Sequence, residues 1–520
     1  MNTRQPVTTE LDYLIIGSGP AGLQLGYYLE KNKKEYLILE AGAKNGMFFD
    51  TFPRNRRLIS INKVFTGSQD YEFNLRFDWN SLLSDDEDML FKKYSEEYFP
   101  HADDLTRYLV DFANRFDIKI KYDTAVARIT KNHKFIVTDQ QGNTYAARRL
   151  IIATGVTKPY IPPIPGIELC QNYSDFSPDS EDFTDKRVLI IGKGNSAFET
   201  ADQISGRTAT IHLCSPYPIR MAWKTHYVGH LRAINNNILD TYQLKLQNGI
   251  LDAIIENIQR KDDKFIVNIV YTHAKGERRE IHYDHVFVCT GFRFDASLFD
   301  ETCRPELIIN DRFPAQTSEW ESTNVKDLYF AGTLMQARDF KKTMSGFIHG
   351  FRYNIRALSY IFQRKDAGEE WPAQEFRATS EDITNCLLDR INTSSAMYLQ
   401  PGFLCDVLVI SDTASQARYY CGVPVDYVRE SDFAKNNHYY TISLEYGDFK
   451  SFPDPFNIER DPDPSLAHLT AYLHPIIRRY DGSSLVYEHH IPEDLENVYI
   501  GEKYTRPLAE FFDRALAGVL

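Results

Sequence analysis

Short, almost wholly apolar runs recur along the first two thirds of the chain, and a glycine turn follows several of them. The run at 11–16 reads LDYLII, and the run at 187–191 reads RVLII. Such β-rich runs are typical of strands buried on both faces of a parallel sheet. A helical segment follows each turn, so that strands and helices alternate. This alternation predicts an α/β fold.

The glycines after the first apolar run have the spacing of a dinucleotide-binding turn. Gly17, Gly19 and Gly22 form GxGxxG, with Pro20 and Ala21 inside the motif. The first glycine permits the tight turn, the second lets the backbone approach a pyrophosphate, and the third lets the helix pack on the strand. The N-terminus of that helix favours an anion. We predict a dinucleotide at this loop.

The next strand, YLILE, supports this prediction because it ends in Glu40. A carboxylate at that position can accept hydrogen bonds from the ribose hydroxyls of an adenosine. Since strand, loop, helix, second strand and terminal acid occur together, a glycine-rich turn without a ligand is the weaker interpretation.

Two later strands indicate that the first loop binds FAD. The run at 148–155 ends in Thr154 and Gly155, and the run at 327–333 turns at Gly332. A strand that returns to the first unit after such a long interval is how two-dinucleotide flavoproteins close their FAD domain. A helix that begins close to Gly346 and Phe347 would direct its positive N-terminus towards a flavin carbonyl.

The strand-turn-helix pattern returns at 187–201, RVLIIGKGNSAFETA. Gly192 and Gly194 take the first two glycine positions, and Ala197 takes the third, where alanine is allowed. Asn195 and Ser196 lie between them, and the segment ends in a further strand and turn at Gly291. We predict a nicotinamide nucleotide here, which would deliver hydride to the flavin.

The strand after this second loop favours NADPH. ATIHLCS ends without a carboxylate, and Arg220 and Lys224 follow it. An acid would repel the 2′-phosphate of NADPH, whereas basic side chains would attract it. Each basic residue could equally belong to a solvated loop, and NADH stays an alternative.

The predicted fold is therefore α/β, with two Rossmann-like domains and a C-terminal α+β extension. We expect the first part of the FAD-binding domain at 1–185, the NAD(P)H-binding domain inserted at 186–290, and the second part of the FAD-binding domain at 291–367. Residues 368–520 carry short β-like runs and a closing helix. We expect this region to be a packing module, a dimer interface or a substrate lid.

The composition limits the classes of partner that we expect and favours one cellular compartment. The 59 basic and 72 acidic residues give a net charge of −13, which argues against nucleic acid or an anionic membrane as the main partner. The chain contains neither a membrane-spanning apolar run nor the apolar core of a secretory signal. Seven scattered cysteines without a CxxC motif argue against a redox dithiol and suit the cytoplasm. His474, His489 and His490 lack ligand spacing, so no metal is expected.

Three segments resemble the flavin-containing monooxygenases: AGAKNGMFF at 41–49, RRLISINKVFTG at 56–67, and IIGKGNSAFE at 190–199. The resemblance implies that Phe48 lies near the flavin. It also implies that Asn62 is a flavin-facing, catalytic asparagine, although a structural loop asparagine is the alternative. The chain departs from that family at Gly332-Thr333, where an aspartate is expected, and at Pro165-Gly166, which fits the oxygenation fingerprint only in part.

Three longer strings, at 58–84, 225–244 and 346–358, resemble a narrower family, the FAD-dependent oxidoreductase domain-containing protein 2 flavoproteins of ER-associated degradation. The two resemblances imply a single-component monooxygenase that acts through a C4a-(hydro)peroxyflavin on a small nucleophilic substrate, with O2 as co-substrate. A flavin oxidase or reductase without oxygen insertion is one alternative. A flavin-stabilised protein-binding adaptor is another, and a homodimer is compatible with each.

Overall fold

The structure is a computed structural model that describes residues 8–177, 181–244, 248–411, 415–435, 438–451, 454–461 and 463–519. Residues 1–7, which belong to the N-terminal stretch in which the sequence predicts no secretory signal, lie outside the described residues. Within the described ranges, no helix is long and apolar enough to cross a bilayer.

The apolar run at 11–16 belongs to a strand at the centre of the first sheet. The elements of this part are β1 (Thr8–Ile16), α1 (Pro20–Lys31), β2 (Tyr36–Leu39), α2 (Phe48–Thr51), α3 (Tyr71–Asn74), α4 (Ala102–Arg115), β3 (Ile120–Lys121), β4 (Val126–Lys131), β5 (Phe135–Asp139), β6 (Thr144–Ile152) and β7 (Lys158–Pro159). β1 lies between β2 and β6 and is parallel to both. Tyr13, Leu14 and Ile15 are fully buried, as strands covered on both faces require.

A second sheet surrounds the second glycine loop. Its part of the chain contains β8 (Gln171–Asn172), β9 (Arg187–Ile191), α5 (Asn195–Ile204), β10 (Thr210–Ser215), α6 (Ala222–Thr225), α7 (Asn237–Gln243), β11 (Gly249–Lys261), β12 (Lys264–Tyr271), β13 (Arg278–Tyr283), β14 (His285–Val288) and β15 (Phe292–Arg293). β9 lies between β10 and β14 and is parallel to both, as β1 is to its neighbours. β8 pairs with β14, so this sheet includes a strand from before residue 186.

The chain then returns to the first sheet. This part consists of β16 (Leu307–Ile308), β17 (Phe313–Pro314), β18 (Leu328–Phe330) and α8 (Ile348–Ala367). β18 pairs in parallel with β6, and α8 packs on α1. The predicted fold class, with one α/β unit inserted in another, is confirmed.

The C-terminal region forms an antiparallel sheet with helices. Its elements are β19 (Ala373–Arg377), α9 (Ser380–Thr393), α10 (Ser395–Leu399), β20 (Leu404–Ile410), β21 (Gln416–Pro424), α11 (Val425–Glu430), β22 (Tyr439–Tyr446), β23 (Leu473–Asp481), β24 (Ser484–His490) and α12 (Glu502–Leu516). The strand order is β19–β21–β20–β22–β23–β24.

The hydrophobic cores do not follow the boundaries of the sheets, because one core contains residues of two sheets. Trp371, Val407 and Tyr439 of the C-terminal region belong to one continuous core with Tyr13 and Ile15 of the first sheet. The inserted unit has two cores of its own, one on each face of its sheet. The C-terminal region has a further core of its own, but because it shares two others with the FAD-side unit, it packs as an extension of that unit.

Candidate active site

A cavity of about 430 Å³ lies where the two glycine loops meet. Ligand cavities of this size with a mainly apolar lining are typical of small-molecule and cofactor sites. Ten of the site residues that were predicted from the sequence line this cavity: Gly19, Pro20, Ala21, Phe48, Thr154, Gly155, Asn195, Ser196, Gly346 and Phe347. Segments that are far apart in sequence therefore meet at one site.

The glycines of the two loops serve two different purposes. A Cβ atom on Gly22 would collide with the carbonyl of Gly17, and one on Gly192 would collide with the carbonyl of Cys289. By contrast, a Cβ atom on Gly19 or Gly194 would meet no atom of the structure within 4 Å. These last two glycines leave the open space that a pyrophosphate needs, so the loops fit dinucleotides.

Backbone conformation and packing explain several other predicted glycines. Gly17 (φ 102°) and Gly192 (φ 130°) adopt conformations that favour glycine. A side chain on Gly332 would overlap Ala21 of α1, so that glycine allows β18 and α1 to approach each other. Gly291 turns the chain after β14, and Ala197, in the first turn of α5, is fully buried.

The helices that follow both loops begin without a side-chain cap. Gly19 precedes α1 and Gly194 precedes α5, and neither supplies a capping oxygen. The first N–H groups of a helix have no acceptor within the helix, and its dipole favours a negative charge there. Both helix N-termini can therefore bind phosphate groups.

Glu40 lies at the end of β2, where the sequence predicted it, but its oxygens are already hydrogen-bonded. One carboxylate oxygen accepts from the backbone N–H and the hydroxyl of Ser18, both at 2.8 Å. The other accepts from the Gly42 N–H at 2.9 Å. The carboxylate thus holds the first glycine loop against the strand end.

Asn195 builds the cavity wall through its side chain. Its Nδ2 donates to the His230 carbonyl at 2.8 Å, and its Oδ1 accepts from the Arg232 N–H at 3.0 Å and from Asn235 Nδ2 at 3.2 Å. Arg232 and Asn235 line the same cavity. The second loop therefore fixes the position of a segment that covers the site.

Glu199 is a cavity residue that sequence reasoning missed. Its Oε1 accepts from the Asn55 N–H at 2.8 Å, and its Oε2 accepts from the Tyr173 hydroxyl at 3.1 Å. Burial raises the pKa of this carboxyl. The sequence did contain a signal for Glu199. Residues four apart on a helix share a face, and Glu199 follows Asn195 at that spacing, so both side chains were expected on the same side of the predicted helix.

The expectation that no carboxylate lies near the end of β10 is incomplete. Asp252 of β11 is next to Ser215 of β10 in the ladder, and it forms an ion pair with Lys193 of the second loop. Arg220 and Lys224 are exposed nearby in the sequence. The pairing of β10 with β11 is not visible in the local sequence, and this is why Asp252 was missed.

Asn62 is not among the residues that line the cavity. It is buried, and its Nδ2 donates to the Ser95 carbonyl at 2.7 Å and to the Glu97 carbonyl at 3.4 Å. Its backbone N–H donates to the Tyr98 carbonyl at 2.9 Å. These contacts favour the structural alternative, in which Asn62 joins two loops.

An aromatic stack forms one wall of the cavity. The His349 ring lies parallel to Trp79 at a centroid distance of 4.2 Å and to Phe347 at 5.8 Å. The Arg232 guanidinium lies over the Trp79 ring at 5.3 Å. His474 and His490, by contrast, form a hydrogen bond of 2.8 Å within the C-terminal sheet.

Residues 14–332 match the model of the pyridine nucleotide-disulphide oxidoreductase family. The matched range includes both glycine loops and ends just after β18. The chain belongs to this family. FAD and NAD(P)H are therefore its cofactors, and the residues around the cavity fit them.

Sequence relatives agree with the resemblance found in the sequence. FAD-dependent oxidoreductase domain-containing protein 2 of Mus musculus is 36% identical over 511 residues, which cover 90% of this chain and 76% of the mouse protein. The Danio rerio protein of the same name is 38% identical over 452 residues, which cover 78% of this chain and 66% of that protein, slightly under two thirds of its length.

A solved structure shows the same fold. The flavin-containing monooxygenase from Stenotrophomonas maltophilia has a TM-score of 0.53 and is 19% identical, and the match covers 69% of this chain and 100% of that one. At this identity the likeness concerns the fold.

Proposed function

We propose that the protein is a single-component FAD- and NADPH-dependent monooxygenase that oxygenates a small nucleophilic substrate. The observation that carries the proposal is a mainly apolar cavity that residues of both glycine loops line. Such a cavity brings a nicotinamide close to a flavin and keeps water away from it. FAD, when bound, supplies hydride acceptance and oxygen activation, and the chain supplies binding and orientation.

The chain's residues divide these tasks between them. The first loop and the start of α1 would hold the FAD pyrophosphate, and the second loop with the start of α5 would hold that of the nicotinamide nucleotide. The positive end of α8, at Phe347, would lie near the flavin ring. Phe52, Trp79 and Phe292 line the cavity and would exclude water from it.

Thiol chemistry, which the family's description includes, has less support here. No cysteine of the described residues lines the main cavity. Cys289, which follows β14, is buried, and burial raises the pKa of its thiol to about 12. Disulfide exchange requires a thiolate that can reach the disulfide. These observations favour oxygen chemistry over disulfide reduction.

An oxidase that releases hydrogen peroxide remains the second candidate, since it would use the same cavity. A protein-binding adaptor is a third, but it would not need the open space in front of Gly194.

The decisive experiment follows NADPH oxidation in air with a panel of small amines and sulfides, and measures hydrogen peroxide per NADPH consumed. We expect at least one compound to lower this ratio and to gain one oxygen atom from labelled O2. A ratio of one with every compound would favour the oxidase, and no NADPH consumption by the FAD-loaded protein would favour the adaptor.

Two matched glycine variants test the cofactor assignment. Gly19→Val should abolish FAD binding, because its side chain would occupy the space for the pyrophosphate without touching the protein. Gly194→Val should keep its FAD and lose rapid reduction by NADPH. Flavin absorbance and circular dichroism of both purified variants provide the readout. Full FAD occupancy in Gly19→Val would overturn the assignment of the first loop.

A further inference from the structure

His349 is a buried imidazole that lines the cavity and has no hydrogen-bond partner among the described residues. Its side chain is almost fully buried, at 2% exposure, and both Nδ1 and Nε2 lack a partner. Leaving a buried donor or acceptor unpaired is unfavourable, because the group has lost its hydrogen bonds to water. An imidazole that faces a cavity in this state points to a ligand that completes its hydrogen bonds.

The surroundings of His349 keep the ring neutral. Burial lowers its pKa well below the usual value, and the guanidiniums of Arg352 and Arg232 lower the pKa further. Arg352 is itself fully buried and donates to the carbonyls of Ser81 and Leu75, both at 2.7 Å. A neutral imidazole carries one N–H donor and one nitrogen acceptor.

The same surroundings fix the direction of the ring. Trp79 and Phe347 stack on it, and Trp79 is held by its own hydrogen bond from Nε1 to the Arg76 carbonyl at 3.0 Å. His349 belongs to the first turn of α8, whose N-terminus lies at the cavity. The donor is therefore rigidly placed at the positive end of a helix.

We propose that His349 binds the flavin directly, and that its neutral ring donates a hydrogen bond to the polar edge of the isoalloxazine ring. This inference rests on the proposed FAD site. The electron-rich reduced ring is the better acceptor, so His349 stabilises reduced FAD more than oxidised FAD.

The test measures the midpoint potential of bound FAD under anaerobic conditions. His349→Phe keeps the aromatic stack but removes the donor, and it should weaken binding of reduced FAD about tenfold relative to oxidised FAD. This lowers the two-electron potential by about 30 mV. His349→Gln, which keeps an N–H donor, should recover most of the difference. His489→Phe is the matched control, because it makes the same substitution in β24 of the C-terminal sheet, outside the cavity lining; its potential should stay at the wild-type value.

Equal potentials in the wild type and His349→Phe would overturn the proposal. So would equal shifts in His349→Phe and His349→Gln, because the effect would then come from packing. If His349→Phe does not retain FAD, the potential of His349→Gln is compared with that of the wild type. A difference that corresponds to less than a twofold change in the relative binding of reduced and oxidised FAD supports the donor role. The potential does not depend on oxygen insertion, so its outcome is separate from that of the peroxide assay.

Discussion

At the scale of residues, the charges near the end of β10 bear on the choice between the two nicotinamide nucleotides. Asp252 would disfavour a 2′-phosphate, but Lys193 pairs with it from the buried side, where only 3% of the lysine side chain is exposed. Arg220 is exposed and follows the same strand. Because the acid is already neutralised, the remaining charge favours NADPH.

Arg220→Ala should weaken NADPH about tenfold while it leaves NADH unchanged. A hydrogen bond to a charged group contributes about 1.5–3 kcal/mol, and only NADPH offers the 2′-phosphate. The measurement is the concentration dependence of flavin reduction by each nucleotide. Arg207→Ala is the matched control, because Arg207 is exposed and its backbone carbonyl accepts from the Asp185 N–H, which places it at the opposite end of β9. A wild-type preference for NADH would contradict this prediction.

Residues whose place in the fold follows from local spacing could be predicted, and residues whose contacts come from distant segments could not. Gly19 and Gly194 were found because a strand, a turn and a helix are contiguous in the sequence. Asn62 was assigned by resemblance, and its actual partners lie at 95–98. His349 reaches the cavity only because α8 packs on α1, and the partner in its stack, Trp79, comes from another loop.

At the scale of elements, a covering segment at 225–236 is held from three sides. Asn195 of the second loop binds it, and the Tyr227 hydroxyl donates to Gln336 at 3.2 Å. On the third side, the His226 ring stacks on Phe449 of the C-terminal region at 4.2 Å. The C-terminal region therefore contacts the segment that closes the cavity, which supports the lid interpretation of that region.

His226→Ala should loosen the covering segment. An aromatic stacking contact contributes about 0.5–1.5 kcal/mol, so its loss should raise the open population roughly fivefold. Trypsin cleavage of the native protein after Lys224 or Arg232 reports this population when opening is fast. Tyr217→Ala, in an exposed side chain outside the segment, should leave cleavage unchanged. Equal cleavage in both variants would show that the stack does not hold the segment.

The C-terminal strands illustrate what sequence reasoning omits at this scale. Short β-like runs indicated strands, and strands are present. The order of the strands in the sheet could not be predicted. β19 pairs with β21, although α9, α10 and β20 lie between them in the sequence, and β20 lies between β21 and β22 in the sheet. Antiparallel partners are selected by side-chain packing across the sheet, which no single run contains.

At the scale of the whole molecule, the division of the cores predicts two unfolding transitions. The C-terminal region has a core of its own but also shares others with the FAD-side unit, whereas the cores of the inserted unit contain no buried residue of the C-terminal region. Units that share a core unfold together, and units with separate cores can unfold independently.

Two core variants separate the transitions in calorimetry of the FAD-loaded protein. Trp371→Ala should destabilise the transition that releases flavin by about 3–5 kcal/mol. Ile190→Ala, in the inserted unit, should lower the other transition and leave flavin release in place. If both variants lower one common transition, the molecule unfolds as a single cooperative unit.

The insertion of one unit into another also sets the order in which the protein is completed during synthesis. The inserted unit contains its own cores, so it can fold as soon as its last strand, β14, has left the ribosome. The first glycine loop is made much earlier, but the wall of its cavity still lacks residues such as Gly346 and Phe351. We therefore expect the inserted unit to fold on the nascent chain before the FAD-side unit is complete, and FAD to bind late in translation or after it.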